Sequence, residues 1–424
     1  MKQKTYFFLW CCFFCCTSLI HTEIFFSGFT GAKGDFYSDP QTKDEKGFDP
    51  LLEVQAYFSG QLNISKKFMV RGEFSVQSED IFGSGIFNDT EALFCINELS
   101  ATYVKPFLGN TQYISAFFGT FEPIGSDVFL QRQFGMRPIT SLTTESWLGL
   151  RGSYIYPFYG AGVAYILHFD KWPVASGFYL YKNHAQNEDD DDQMNIDWRF
   201  AAAMPYLALD FAAGIGAPLS KHHDDDDVIL LIDTLYLHSG VGMLLGNRYA
   251  HSLFVQAGFE QVALRSRKEE SKLKDSDIYL LFEPRFTLKA CKIHLTFFNF
   301  PASLFKATDG WSSKKLIFIE DSLGINVTVF TDSLYIKNWD VSFGITTTLS
   351  FPDHYLFDLK KPNELFENDE VDSSKNFNVK LSPFLTLPIL SGELHMMLQA
   401  NITDFRTEGW ENAIKLNIGY KSQL

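Results

Sequence analysis

Apolar and polar residues alternate with a period of two over most of the chain. In the segment 52–64, for example, Leu52 and Val54 fall on one face and Glu53 and Gln55 on the other. Successive side chains of a β-strand point to opposite faces, so this pattern predicts strands with one apolar and one polar environment. The alternation resumes at residues 68–77 after a short polar turn, which predicts a long antiparallel hairpin.

The same pattern recurs to the end of the chain. Further candidate strands lie near residues 99–103, 113–120, 148–156, 194–202, 253–260, 278–289, 292–298, 323–329, 340–351, 377–387, 394–402 and 413–420. Several of them reach about ten residues, the length that a tilted membrane-spanning strand needs. We therefore predict an all-β fold, a transmembrane antiparallel β-barrel of about 16–18 strands with long outer loops.

The predicted connections are of two kinds. Tight turns include Ser65-Lys66-Lys67 and Asp332-Ser333, and the long connections are rich in acidic residues. The long ones are His184–Gln193, Lys221–Asp227, Ser266–Asp277 and Phe357–Ser373. In outer-membrane barrels the short turns face the periplasm and the long loops face outward.

Composition agrees with a barrel. The chain has 43 Phe and 18 Tyr, yet its mean hydropathy is close to zero, as expected when only alternate positions are apolar. Beyond the amino terminus we find no apolar run long enough to cross a bilayer as a helix. The formal net charge is −15, which disfavours binding to nucleic acid, because a basic stripe is its usual footprint.

The amino terminus has the layout of a secretory signal peptide. Lys2 and Lys4 precede an apolar run, so we predict that residues 1–21 are removed and that residues 22–424 form the barrel. Four cysteines lie in this region, and lipidation of an amino-terminal cysteine is the less favoured alternative. Cys95 and Cys291 then remain, and we interpret them as two separate thiols rather than a disulfide.

The longest loop with little strand pattern of its own runs from Gly125 to Trp147. Loops of this length are usually functional or disordered, and its aromatic residues and arginines favour order. We predict that it folds into the mouth of the barrel and forms a constriction with Arg132, Arg137 and Asp127, although the sequence leaves open whether it lies in the lumen. The alternative is that arginine–carboxylate pairs, with Asp127 or Glu122, simply hold the loop to the wall.

Charged residues on the second face of a strand need water, so we predict a wet lumen. The predicted pore-lining residues are Arg151, Arg199, Glu283, Arg285 and Lys289. Cross-strand ion pairs among such residues, for example with Glu283 or Asp197, are the alternative, and both can hold together.

No catalytic motif is present in the sequence, so we do not predict an enzyme. The acidic runs at 189–192 and 224–227, with His184, His222 and His223 nearby, lack the fixed ligand spacing of a calcium loop. We interpret them as solvated loops and predict neither a metal nor a cofactor.

Two stretches resemble a region of the phosphate- and pyrophosphate-selective outer-membrane porins. They are GTFEPIGSDVFLQRQFGMRP and LGLRGSYIYPFYGAGVAYILHF, which resemble a strand ending in Gly-x-Phe-x-x-Pro, a constriction loop with an arginine and a glycine-flanked strand. The resemblance implies anion-binding basic residues in the lumen, here Arg132, Arg137 and Arg151. The acidic loops argue against anion selectivity, because rings of acidic residues favour cations.

We therefore expect a porin of the cell outer membrane through which small hydrophilic solutes or ions diffuse. The alternatives are a fatty-acid-type hydrophobic transporter and a surface-exposed adhesin or scaffold barrel with a blocked lumen. Expected partners are outer-membrane lipid, the barrel assembly machinery and the solutes, and a homotrimer stays open.

Overall fold

The computed structural model describes sixteen parts of the chain. They are residues 24–38, 50–78, 81, 92–144, 155–156, 158–184, 192–221, 228–230, 235–265, 273–304, 319, 321–331, 334–336, 339–360, 377–406 and 413–424. The predicted signal peptide, residues 1–21, lies outside them, so the proposed division of the chain stays a prediction.

The described residues are mostly strands. These are β1 (Phe25–Ser38), β2 (Pro50–Ser65), β3 (Phe68–Ser78), β4 (Ala92–Phe107), β5 (Asn110–Gly119), β6 (Gly160–Phe169), β7 (Val174–Asn183), β8 (Gln193–Met204), β9 (Leu207–Lys221), β10 (Val228–Leu230), β11 (Leu235–Gly246), β12 (Ser252–Arg265), β13 (Ile278–Thr287), β14 (Lys292–Asn299), β15 (Leu323–Phe330), β16 (Leu334–Ile336), β17 (Trp339–Phe351), β18 (Asn378–Ile389), β19 (Gly392–Asn401) and β20 (Ile414–Gln423).

Helical segments are short. They comprise the α-helix α1 (Val128–Phe134) and 3-10 turns at Leu142–Thr144, Asp275–Asp277, Ala302–Leu304, Leu356–Lys360 and Asp404–Arg406. No helix in the described ranges is long and apolar enough to cross a membrane.

Eighteen of the described strands close into one antiparallel barrel, and the three-residue strands β10 and β16 extend two of its hairpins. Closure comes from β1, which pairs with β2 on one side and with β20 on the other. The register sets Lys33 beside Gln55 of β2 and beside Gly419 of β20. The predicted fold class is confirmed, and the strand number is at the upper end of the predicted range.

The two ends of the barrel differ. Strand pairs such as β2–β3, β4–β5 and β18–β19 are joined by turns of two residues, and these turns lie at the same end as Phe25 and Gln423. The strand ends that the long connections join, such as Gly119 of β5 and Gly160 of β6, lie at the opposite end. A meander of antiparallel strands produces this division, because alternate connections fall at alternate ends.

The outward face of the wall is apolar and the inward face is mostly polar. Ile196 and Phe282 point outward and are 62% and 41% exposed, whereas Asn195 and Glu283, one residue away, are both 0% exposed. Exposed apolar side chains around a barrel wall are what lipid-facing strands carry. Both thiols, Cys95 and Cys291, are free, as predicted.

Part of the inward face is a ladder of hydroxyl and amide side chains, which we call the hydroxyl wall. It consists of Asn326 and Thr328 on β15, Thr346 and Thr348 on β17 and Ser382 on β18. Asn326 donates to Thr348 Oγ1 over 2.7 Å, and Thr328 Oγ1 lies 3.0 Å from Thr346 Oγ1. The four side chains from β15 and β17 therefore satisfy one another.

Some predicted local features are corrected. The strand predicted at 148–156 lies mostly outside the described residues, and its end is no part of the wall: Tyr156 forms an isolated bridge with Ile124, and the next wall strand begins at Gly160. Contacts of Tyr156 inside the barrel override the local alternation. Lys289 is exposed in the turn between β13 and β14, not on a strand face. The turn predicted at Asp332-Ser333 lies outside the described residues.

Candidate functional site: the lumenal loop

The connection between β5 and β6 enters the barrel over its described residues, 120–144, 155–156 and 158–159, and we call these residues the lumenal loop. Its departure point is Gly119, which has φ +93° and whose added Cβ would lie 2.4 Å from the carbonyl oxygen of Asn97. Only glycine fits a left-handed conformation so close to backbone. Glu122 also has a positive φ, 49°, so the chain bends again within three residues.

A short helix forms the middle of the lumenal loop. α1 buries Phe129 and Leu130, which are 0% and 1% exposed. It ends at Gly135, whose left-handed backbone (φ 61°) lets its N–H donate to Gln131, a common way for helices to stop. Its buried side is apolar, so packing inside the barrel, rather than helix propensity, accounts for its stability.

Asp127 closes this part of the loop. Its carboxylate accepts hydrogen bonds from the N–H groups of Ile139 and Thr140, both over 2.7 Å, and from the Thr140 hydroxyl over 2.8 Å. Burial raises the pKa of the Asp127 carboxyl, and the hydrogen bonds from Thr140 and Ile139 oppose that rise. Asp127 is thus a cross-link within the loop.

Arg132, at the end of α1, joins the loop to the wall. Its Nη2 lies 2.7 Å from both carboxylate oxygens of Glu98 on β4, and its Nη1 lies 3.4 Å from Glu122. The guanidinium also stacks on Phe121, 4.8 Å from the ring centroid. Hydrogen bonds between a guanidinium and a carboxylate are roughly twice as strong as those between neutral groups.

Arg199 reaches the loop from β8. It pairs with Asp210 on β9 and donates to the carbonyl oxygens of Glu122 and Ser126. Its guanidinium lies 4.8 Å from the ring centroid of Phe129. The side chain is fully buried, so this wall arginine holds the loop by its backbone whatever side chains the loop carries.

Arg285 repeats the arrangement on β13. It pairs with Glu283 over 2.7 Å and donates to the carbonyl oxygens of Ile139 and Thr140 over 2.8 and 3.2 Å. Glu283 also accepts from the Ser141 hydroxyl of the loop. We call Arg132, Arg199 and Arg285 the arginine clamps.

The wall that faces the loop has space for it because glycines, which have no side chain, occupy inward-facing positions there. An added Cβ at Gly240 would lie 2.6 Å from Ile124 and 2.9 Å from Ile155, and one at Gly258 would lie 2.5 Å from Ile155. Gln256, between them on the inward face, donates to the Gly125 carbonyl over 2.6 Å. These contacts come from inward-facing positions of β11 and β12, so the loop lies in the lumen.

The returning arm of the loop is held by Tyr156. Its ring stacks on His238 with centroids 3.9 Å apart, and its hydroxyl accepts from Asn195 over 2.7 Å and Asn183 over 3.1 Å. Burial and the nearby charge of Asp197 raise the pKa of this phenol. His238 in turn lies 2.8 Å from Asp197.

The structure brings some of the predicted site residues together and separates others. Arg132, Arg199, Glu283, Arg285 and Asp127 all lie in or against the lumenal loop. Arg137 is exposed, with its carbonyl oxygen accepting from Arg248 over 2.7 Å. Arg151 lies outside the described residues.

Sequence reasoning missed three important contacts. Glu98, Tyr179 and Gln256 all bind the loop, with Tyr179 donating to Glu122 over 2.6 Å. The available signal was an acidic residue, Glu98, on the inward face of a candidate strand, where a carboxylate needs a partner.

Comparison with known proteins finds no matching family model and no matching curated protein. Similar solved structures include OccAB3 of Acinetobacter baumannii, with 8% identity, 94% of this chain and 99% of that one covered, and a TM-score of 0.49. OmpF of Salmonella typhi, in complex with daunomycin, has 9% identity, coverage of 95% and 98%, and a TM-score of 0.40.

A third similar structure is Wzi of Escherichia coli, described as a carbohydrate-binding β-barrel involved in capsule assembly. It has 11% identity, coverage of 93% and 84%, and a TM-score of 0.45. At these identities and TM-scores no role passes from the three proteins to this chain, so the functional argument has to come from its own geometry.

Proposed function

We propose that this chain is an outer-membrane porin through which small hydrophilic solutes or ions diffuse past the lumenal loop. The observation that carries the proposal is the docked loop itself, held from the inward faces of β4, β8, β12 and β13 inside a barrel with an apolar outer face. Barrels of this width leave room in the lumen that strand side chains alone do not fill. The loop narrows that room, and pore size and lining charges then decide passage.

The mechanism has no chemical step. A rigid loop is needed, because a constriction selects solutes only if its position is fixed. Arg199, Arg285 and Gln256 hold the loop by its backbone at Glu122, Gly125, Ser126 and Ile139. Arg132 holds it through its own side chain, which pairs with Glu98. Arg199, Glu283 and Arg285, which we predicted to line the pore, are buried against the loop, so we propose that their role is to set the position of the loop.

The most direct test of the porin proposal is single-channel recording of the refolded mature chain in planar bilayers. Stable open steps are the expected result. A folded, heat-resistant barrel without conductance would reject the proposal. Recognition by the barrel assembly machinery and a homotrimer stay predictions, and crosslinking in native membranes tests the trimer.

A second candidate is a surface-binding barrel with a blocked lumen. One observation favours it: Asn326 and Thr346, on the inward-facing hydroxyl wall, are both 0% exposed, whereas a wide water-filled pore would wet its wall. The same recording separates the two functions, because only the porin conducts.

A further inference from the structure

The lumenal loop extends to the end of the barrel that carries the short turns. Phe134, the last residue of α1, packs against His168 on β6, with ring centroids 5.2 Å apart. His168 pairs with Thr111, the second residue of β5 after the short turn that joins β4 to β5. Short turns face the periplasm in outer-membrane barrels. Residues 135–138, which we call the loop tip, therefore lie near the periplasmic rim.

Arg248 holds the loop tip from this rim. Through Nη2 it donates to the carbonyl oxygens of Arg137 and Pro138 over 2.7 and 3.1 Å. Arg248 lies in the connection between β11 and β12. This connection is at the short-turn end, because the N–H of Gly246 donates over 2.9 Å to Tyr206 in the short turn between β8 and β9. The tip is thus held by a turn, whereas the arginine clamps join the loop to strands.

The Arg248 contact also differs from the arginine clamps in burial and pairing. The side chains of Arg199, Arg285 and Arg132 are 2%, 13% and 16% exposed, and each pairs with a carboxylate. Arg248 is partly exposed and lies over the Tyr249 ring, 5.6 Å from its centroid, and no carboxylate among the described residues pairs with it. An exposed contact opens more readily than a buried ion pair, because water can replace the hydrogen bonds that it loses.

The loop tip lies between two fixed segments and has open space beside it. Before it, α1 buries Phe129 completely. After it, Ile139 accepts from Arg285 over 2.8 Å and donates to Asp127 over 2.7 Å. Gly135 is exposed, and a Cβ added there would meet no described atom within 4 Å. The tip can therefore move while the segments on both sides of it stay in place.

We propose that Arg248 is a positioning residue that holds the loop tip at the periplasmic rim, and that opening of the Arg248 contact changes the width of the passage at its periplasmic mouth. The arginine clamps keep the rest of the loop in place during this movement. The inference rests on the proposed porin function and adds a moving segment to it. Local opening of this kind is expected where backbone is exposed and buried apolar contacts are few.

The first test is single-channel recording of refolded wild-type, Arg248→Ala and Arg248→Lys barrels in planar bilayers. Arg248→Ala should raise the rate of current transitions roughly fivefold, the change expected when one exposed hydrogen-bonding contact is lost. Its resistance to urea should stay close to that of the wild type, which separates a positioning role from a purely structural one. Arg248→Lys keeps the charge and a donor and should give a smaller increase.

Lys171→Ala is the matched control. It removes a positive charge from an exposed turn at the same end of the barrel, and Lys171 has no contact with the described part of the loop. It should leave the transition rate unchanged. A second measurement needs no conducting channel: chymotrypsin should cleave after Phe134 faster in Arg248→Ala than in the wild type or the control.

The outcomes separate this inference from the porin proposal. Open channels whose transition rates are equal in Arg248→Ala and Lys171→Ala overturn the role of Arg248 and leave the porin standing. Faster cleavage with unchanged transitions also overturns control of the passage by the tip. A folded barrel that never opens rejects the porin function itself, and the cleavage rates then still decide whether Arg248 holds the tip.

Discussion

Two parts of the inner wall solve the problem of buried polar groups in opposite ways. The inward faces of β7–β9 and β11–β13, which we call the loop-covered wall, combine small residues such as Gly240 and Gly258 with the buried Arg199 and Arg285. The hydroxyl wall carries side chains of medium size that bond to one another. The comparison shows that the loop-covered wall depends on the lumenal loop. The loop fills the space that the glycines leave, and its carbonyl oxygens accept hydrogen bonds from the two buried arginines.

Charged contacts are therefore expected to matter more on the loop-covered wall than elsewhere. Arg199→Ala should lower the free energy of unfolding by about 3–5 kcal/mol, because it leaves Asp210 buried without its partner. It should also make channel currents noisier as the loop loses its hold at Glu122 and Ser126. Urea unfolding in lipid and single-channel recording measure the two effects.

Lys33→Ala is the matched control for that change, because Lys33 also pairs with a wall aspartate but does not contact the loop. We expect it to be milder and to leave the current noise unchanged. Equal effects of the two substitutions would contradict a special role for the clamps.

Glu283→Gln should have the next largest effect. The carboxylate accepts from Arg285, Ser141 and Thr296, and hydrogen bonds to charged groups contribute roughly 1.5–3 kcal/mol. Thr346→Val on the hydroxyl wall removes a neutral hydrogen bond and should cost only about 1 kcal/mol. If urea unfolding ranks the two in the reverse order, the contrast between the walls is wrong.

A sharper test of the space under the loop uses two glycines of the same strand face. Gly240→Ala places a Cβ 2.6 Å from Ile124, whereas nothing lies within 4 Å of a Cβ at Gly242. We expect about 1 kcal/mol of destabilisation for the first, from overpacking, and little change for Gly242→Ala. Faster proteolysis of the loop in Gly240→Ala alone would support the docked position, and indistinguishable digestion would argue against it.

The smallest expected effect is a pH dependence at Asp127. Its folded-state pKa is raised by burial, so its contribution to stability is fully present below the unfolded pKa and is lost as pH rises through the folded value. Stability should therefore increase slightly on acidification to about pH 4, near the usual aspartate pKa. In Asp127→Asn this part of the dependence should disappear, and an unchanged pH profile would show that other groups cause it.

Much of the barrel could be predicted because alternation is local. The apolar and polar faces of a strand can be assigned from about ten residues of sequence, and Arg199, Glu283 and Arg285 were assigned to the inward face from spacing alone. The exceptional length of the connection after β5 also marked the candidate site. Only the end of the strand predicted at 148–156 is described, and it lies off the wall, because alternation carries no information that Tyr156 stacks on a histidine 82 positions away in the chain.

Local sequence patterns were enough to predict the architecture: alternating strands, tight turns at one end, long connections at the other, and an arginine-bearing loop between β5 and β6. The folded barrel was needed to see that the loop lies in the lumen, that Arg132 is paired with Glu98, and that Gly240 leaves room for Ile124. The physical reason is the distance along the chain between the residues that interact. A period of two is fixed by neighbours in the chain, whereas ion pairs and packing join residues tens to more than a hundred positions apart, and closure of the barrel alone brings them together.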